Sequence, residues 1–163
     1  VSEVELESAV PDTNYWIIVG SPENFRITRE HGFTVQGLKS RHRKKAEQMR
    51  PGDRITWYVT GLKAFAGTAT ITSEYYEDHT PIWKSSNKKR DDDYPFRFGI
   101  SPDTILEDGS FVEAEPVARL LTHVSKWPAA NWTLAFQGNV HKIDQDDFEK
   151  IETAIRDAAA VGV

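Results

Sequence analysis

A chain of 163 residues with five Trp, five Tyr and eight Phe can fill one hydrophobic core. The absence of cysteine excludes disulfides, a thiolate zinc site and a cysteine nucleophile, and no apolar run approaches the length of a membrane span. The net charge of −5 argues against a generally basic nucleic-acid binder, but the charge is uneven: Lys39, Arg41, Arg43, Lys44, Lys45, Arg50 and Arg54 face only Glu47 and Asp53 across one short window. An acidic body with one basic face can still meet a phosphate backbone locally.

Residues 1–12 are acidic, carry no periodicity and end near Pro11, which predicts a loose lead-in ahead of a single domain over 13–163. The acidic opening has neither the basic nor the apolar region of a signal peptide, so a cytoplasmic protein is expected. Asn14–Gly20 is a buried-strand pattern, aromatic and β-branched. Ser21-Pro22-Glu23 reads as a helix start: a capping hydroxyl, a proline suited to the first turn and an acid at the positive end of the dipole. That helix should end at Gly32, with Phe33–Gly37 as an irregular link. A basic helix over about Ser40–Met49 follows, stopped by Arg50-Pro51-Gly52-Asp53.

Arg54–Thr60 and Phe65–Ser73 are rich in β-branched and aromatic residues and predict a hairpin, with Gly67 marking a bulge or a close backbone approach. Glu74–Asp93 is polar, contains Pro81 and reads as a long surface loop holding Trp83. Tyr94–Ile100 predicts another strand, and Phe111–Thr122 a further strand interrupted by Pro116. Asp144 should cap a closing helix with Phe148, Ile151, Ile155 and Ala158 on its apolar face. Strands in the middle and helices at both sides give an α+β domain built on a curled sheet or barrel.

Catalytic signatures are missing: there is no G-x-S-x-G elbow, P-loop, G-x-G-x-x-G or H-E-x-x-H, and the five histidines are scattered. The expectation is a binding domain, not an enzyme, with no cofactor and no metal. Two other readings stand beside it. The acidic loop 78–93 could serve a small metal-dependent hydrolase or nucleotide-processing enzyme, or the aromatic residues could form a pocket for a small apolar ligand in an interaction domain.

Several segments, in order, carry a family resemblance: Ser21-Pro22-Glu23-Asn24-Phe25, His31-Gly32-Phe33, Pro51 through Tyr58, Phe65-Ala66-Gly67, Pro81-Ile82-Trp83, Tyr94-Pro95-Phe96-Arg97 and Phe136-Gln137-Gly138. Together they resemble the EVE domain, a member of the PUA-like group related to YTH domains, over roughly residues 14–157. The resemblance implies a PUA-like curled β-barrel of about five to six strands flanked by short helices. It also implies a partner: DNA or RNA carrying a modified base such as 5-methylcytosine, captured flipped or single-stranded at the rim of the barrel.

By the same resemblance, Asn24 and Ser21 would read the base edge and Trp83 would form one wall of an aromatic cage. The first cage Trp of the YTH pattern corresponds here to Thr34, so Phe33, Trp57, Tyr58 or Phe65 would have to supply the second wall. Because Trp57 and Tyr58 are adjacent on a strand, they face opposite sides and only one of them can line the pocket. Lys39, Arg41, Arg43 and Lys44 would hold flanking phosphates, whereas Arg97 suits either a phosphate or an acidic partner. No membrane partner is expected, and a monomer is favoured over an oligomer.

Overall fold

The computed structural model describes residues 13–85 and 91–161. The expected lead-in over 1–12 lies outside the described residues. Strand β1 (Tyr15–Gly20) runs straight into helix α1 (Pro22–Glu30), and the Ser21 hydroxyl accepts from the Asn24 amide at 3.1 Å, as the cap reading requires. The helix is ended by two successive left-handed residues, Gly32 (φ 71°) and Phe33 (φ 54°). This reversal seats the Phe33 ring against Phe25 and Trp57, each with a centroid 5.6 Å away.

The segment read as an irregular link is instead strand β2 (Val35–Leu38), antiparallel to β6 (Phe96–Ile105). Its four residues are too few for alternation to stand out, and its Gly37 lowers strand propensity. A 3₁₀ turn over Ser40–His42 leads into α2 (Arg43–Gln48), so the basic helix forms in two pieces. Next come β3 (Arg54–Val59) and β4 (Ala64–Ile71), paired as the expected hairpin. Their register shifts at Trp57/Tyr58, leaving Ala66 as the extra residue of a bulge beside Gly67. A side-chain carbon at Gly67 would stand 2.7 Å from the Thr104 carbonyl, so the close approach demands glycine there.

Beyond β4, the two-residue strand β5 (Tyr76–Glu77) pairs with β6. The Phe111–Thr122 expectation is corrected: only β7 (Val112–Glu113) is extended, and Ala114–Ala118 is helix α3. Pro116 sits in the first turn of α3, where its missing N–H leaves no intrahelical bond unmade. Two 3₁₀ segments (124–126 and 129–136) lead to β8 (Val140–Ile143) and the closing helix α4 (Gln145–Val161). Asp144 caps α4, its carboxylate accepting from the Asp147 amide at 2.8 Å.

The strands form one curled, mixed sheet in the order β2-β6-β4-β3-β1-β8, with β1 and β3 parallel. The architecture is α+β, as the sequence predicted. Alternation along the strands sorts side chains into two cores. Trp16, Ile18, Ile55, Trp57 and Phe98 fill the concave side with α1 and α2. Ile17, Val19, Tyr58 and Phe65 pack on the convex side against Phe136 and the Phe148, Ile151, Ile155 face of α4. At one end of the curl, Asn139 bridges the edge strands: its Oδ1 accepts from the Lys39 amide just after β2 at 2.9 Å, and its Nδ2 donates to the Val19 carbonyl of β1 at 3.1 Å.

Two histidines stand near this seam. Burial, joined by the neighbouring His123, depresses His141 to about 4, and burial together with Lys45 and Arg41 depresses His42 to about 4. Both bind fewer protons folded than unfolded, so each contributes stability above the unfolded value of 6.5 that is lost as pH falls toward 4. Thermal melts should therefore show the midpoint falling over that window, with a shallower slope in the His42→Gln, His141→Gln variant. An unchanged slope would mean these imidazoles are solvated in the folded state.

Candidate functional site

Where β1 ends and α1 begins, the concave core is incompletely filled. A slot there is lined by Trp57, Trp83, Tyr94 and Phe25 and by Asn24, Thr28, Gln36 and Asn139. Its volume is about 20 Å³, little more than one water needs. The slot opens into a wider polar vestibule of about 130 Å³ formed by Gly20, Ser21, Lys39, Thr60, Lys84, Gly138 and Asn139. Val19, Gly20, Asn24, Tyr94 and Asn139 belong to both spaces and mark the junction.

Trp83 and Trp57 are each held by a hydrogen bond from the indole N–H. Trp83, only 5% exposed despite its polar loop, donates its indole N–H to Thr28 Oγ1 at 2.9 Å, and Thr28 in turn donates to the Asn24 carbonyl at 3.1 Å. Trp57 donates its indole N–H to Gln36 Oε1 at 2.8 Å. Asn24 Oδ1 accepts from the Lys84 amide at 2.9 Å, while Nδ2 donates to the Lys84 carbonyl at 2.9 Å and to the Tyr94 hydroxyl at 3.3 Å. Both hydrogens of the Asn24 amide are thus committed to protein, leaving one acceptor lone pair. Asn24 ties the Trp83 segment to α1.

The residues expected at the site divide into groups. Asn24, Trp57 and Trp83 line the slot, and Ser21 and Lys39 line the vestibule. Tyr58 borders the slot, but its ring stacks on Phe136 at 4.2 Å in the convex core, and Phe65 packs there too. Phe33 lies behind Trp57 without reaching the slot. Thr34 is exposed, donates its hydroxyl to the His31 carbonyl at 2.8 Å and does not line the slot, whereas Trp57 and Trp83 both do.

The cations divide likewise. Lys39 stands at the vestibule with its ammonium 5.7 Å from the Tyr94 ring. Arg41 donates to His42 at 3.2 Å and reaches toward Gly138, and Lys44 is exposed on α2. Arg43 points elsewhere, paired with Glu47 at 3.3 Å and over the Phe96 ring. Arg97 is 1% exposed and holds the 78–94 loop from inside, donating to the carbonyls of Tyr94 (3.1 Å), Asp93 (3.1 Å) and Thr80, and facing Asp78 at 3.5 Å. The structure does not bring Arg43 or Arg97 to the vestibule. Lys84, Gln36, Tyr94, Thr28 and Asn139 complete the site without having been singled out, because what brings them together is long-range contact that leaves no local pattern.

Asp78, Asp92 and Asp93 are committed to neighbours. Asp92 accepts from the Ser40 hydroxyl at 2.6 Å and the Tyr94 amide at 2.9 Å, and Asp78 accepts from the Thr80 amide at 2.8 Å. His79 sits between Glu77 (2.7 Å) and Asp93 (2.8 Å), whose hydrogen bonds hold its imidazole above the usual histidine range. Among the described residues no group of three His, Asp or Glu is arranged to hold a metal ion. No helix among them is long and apolar enough to cross a membrane.

The EVE domain profile matches residues 14–154. The chain belongs to the EVE domain family. A UPF0310 protein of Pyrococcus horikoshii is 26% identical over 148 residues, covering 85% of this chain and 96% of that one. A UPF0310 protein of Pyrococcus abyssi is 25% identical over 151 residues, covering 87% and 99%. Among solved structures, the Mmi1 YTH domain superposes with a TM-score of 0.64 at 12% identity, covering 91% of this chain and 78% of that one. Human THYN1, solved in complex with 5-methylcytosine containing DNA, gives 0.54 at 16% identity, covering 86% and 96%. At these identities the structural likeness is one of fold, and it matches the PUA-like, YTH-related architecture expected from the sequence.

Gly37 supports the Trp83 wall directly: a side-chain carbon there would stand 2.6 Å from the Trp83 ring and 2.7 Å from the Tyr94 carbonyl. Gly37→Ala should therefore lower stability by about 1–3 kcal/mol, the usual cost of overpacking, and displace Trp83. Chemical denaturation measures the first effect and near-UV circular dichroism the second. An unperturbed aromatic spectrum would show that the Trp83 segment yields without resistance.

Proposed function

We propose that this EVE domain binds nucleic acid and takes a single modified base into the slot lined by Trp57 and Trp83. The observation that carries the reading is the slot itself: two indoles and a few oriented amides enclosed in the core, opening onto a vestibule with cations at its rim. Flat aromatic walls suit a planar base, with stacking worth roughly 1–3 kcal/mol per base and little dependence on its identity. Human THYN1 bound to 5-methylcytosine containing DNA and a YTH domain bound to RNA support the reading through their shared fold.

The slot is narrower than a base, so entry requires the Trp83–Lys84 segment to move outward. The Asn24 clasp on Lys84 and the Trp83–Thr28 bond are the contacts that movement breaks. The base must leave its own stack to enter, which favours flipped or single-stranded nucleotides. Around the mouth, Lys39 and Lys84 stand beside the start of α1, and Arg41 reaches toward Gly138. These cations hold the phosphates that flank the captured base, and phosphate contacts set affinity and register without choosing the base.

Tryptophan emission titrated with single-stranded oligonucleotides carrying cytosine, 5-methylcytosine, 5-hydroxymethylcytosine or N6-methyladenine tests this reading. A saturating quench is expected, tightest for one modified base, lost in Trp83→Ala and weakening steeply with salt through counterion release. Lys39→Glu with Lys84→Glu changes no core residue and should weaken binding about tenfold or more at low salt while preserving the preference among bases. Absence of any quench at low salt would overturn the proposal.

A further inference from the structure

We propose that Gln36 is the specificity-determining residue of the slot, its side-chain amide reading the hydrogen-bonding edge of the captured base. The inference rests on the base-binding reading above and names the group that does the choosing.

Gln36 lies on β2, is 5% exposed and lines the slot but not the vestibule. An indole N–H can only donate, so the 2.8 Å contact from Trp57 Nε1 identifies the acceptor as Oε1 and settles which way the amide faces. Nε2 then donates one hydrogen to the Gly37 carbonyl at 3.0 Å. Among the described residues its second hydrogen and the second lone pair of Oε1 have no partner. A donor and an acceptor stand side by side on a rigid amide in the enclosed part of the site.

The other polar groups are placed differently. Thr28 donates its hydrogen to the Asn24 carbonyl, a bond within the helix that movement of Trp83 leaves in place. Asn24 gives its hydrogens to Lys84 and Tyr94 and holds the entry segment, whereas Gln36 is bonded to Trp57 and Gly37, outside that segment. Asn139 keeps one hydrogen but stands at the junction with the vestibule. An adjacent donor and acceptor match a base edge that presents an amino hydrogen next to a ring nitrogen, as cytosine and adenine do. The match selects a base whose exocyclic amine keeps at least one hydrogen. A ring of the same shape without that edge would leave a buried Gln36 N–H unpaired, and the cost of an unpaired buried donor is what turns contact into selection.

The test compares two single-stranded oligonucleotides, one carrying 5-methylcytosine and one carrying a difluorotoluene nucleoside at the same position. The second keeps a methylated six-membered ring and lacks the hydrogen-bonding edge. The wild-type chain should prefer 5-methylcytosine by about tenfold or more. In Gln36→Met the two affinities should converge, because stacking on Trp57 and Trp83 serves both rings alike. Gln36→Asn, which draws the same amide back by one methylene, should also reduce the ratio and serves if the Met variant does not fold. A purely structural role for Gln36 would weaken both ligands equally and leave the ratio intact, which overturns the inference while base binding stands. Wild-type binding with no preference does the same, whereas no wild-type binding of either oligonucleotide removes the base-binding reading itself.

Discussion

A buried indole N–H must find an acceptor, and three tryptophans of this chain meet that demand by reaching across the fold. Trp16 donates to Asp53 at 3.2 Å, Trp57 to Gln36 and Trp83 to Thr28. Each bond joins residues from different elements, so each ring is fixed both by packing and by one directional contact. Leaving such a donor unpaired would cost about 1–3 kcal/mol, which makes the acceptors as necessary as the rings. Asp53 shows how far the demand spreads: it also accepts from the Asn14 amide at 3.0 Å and the Arg50 amide at 3.1 Å, tying the start of β1 to the turn before β3. Two of these tryptophans, each held by its own acceptor, line the slot that the core leaves unfilled.

Arg97 applies the same logic to charge. A guanidinium taken out of water is costly unless its donors are satisfied, and truncating one partner of such an arrangement leaves the remainder unpaired. Here three backbone carbonyls and Asp78 surround it, and its Cζ lies 5.4 Å from the centroid of the Trp83 ring. The outcome is that the backbone of Thr80, Asp93 and Tyr94, in a stretch of chain hydrophilic in composition, is pinned from within by a side chain of β6.

This explains what could be read from the sequence and what could not. The β1–α1 junction, the β3–β4 hairpin with its bulge and the apolar face of α4 follow from short-range rules, and all were legible: Ser21 as cap, Gly67 at the bulge, Phe148, Ile151 and Ile155 on one face. The split between Trp57 and Tyr58 followed from strand alternation, and the structure places the Tyr58 ring on the convex side. Contacts that depend on closure of the curl were not legible. Asn24 and Lys84 are 60 residues apart, and Lys39 and Asn139 are 100 apart. Neither pair leaves a local pattern. In the sequence, Arg97 on a strand suits either a phosphate or an acidic partner; it faces Asp78, but nothing nearby in sequence announces the carbonyls that also surround it.

The seam bridged by Asn139 bears on how accessible the edges of the sheet are to another strand. An open sheet ends in strands whose unused backbone groups can template another strand, the usual route to edge-to-edge aggregation. Here both end strands, β2 and β8, are only four residues long. The Asn139 amide occupies one end of the gap between them, and the Lys45 ammonium donates to the Val140 carbonyl of β8 at 2.9 Å. An incoming strand would have to displace a charged side chain to gain a ladder too short to compensate for the loss.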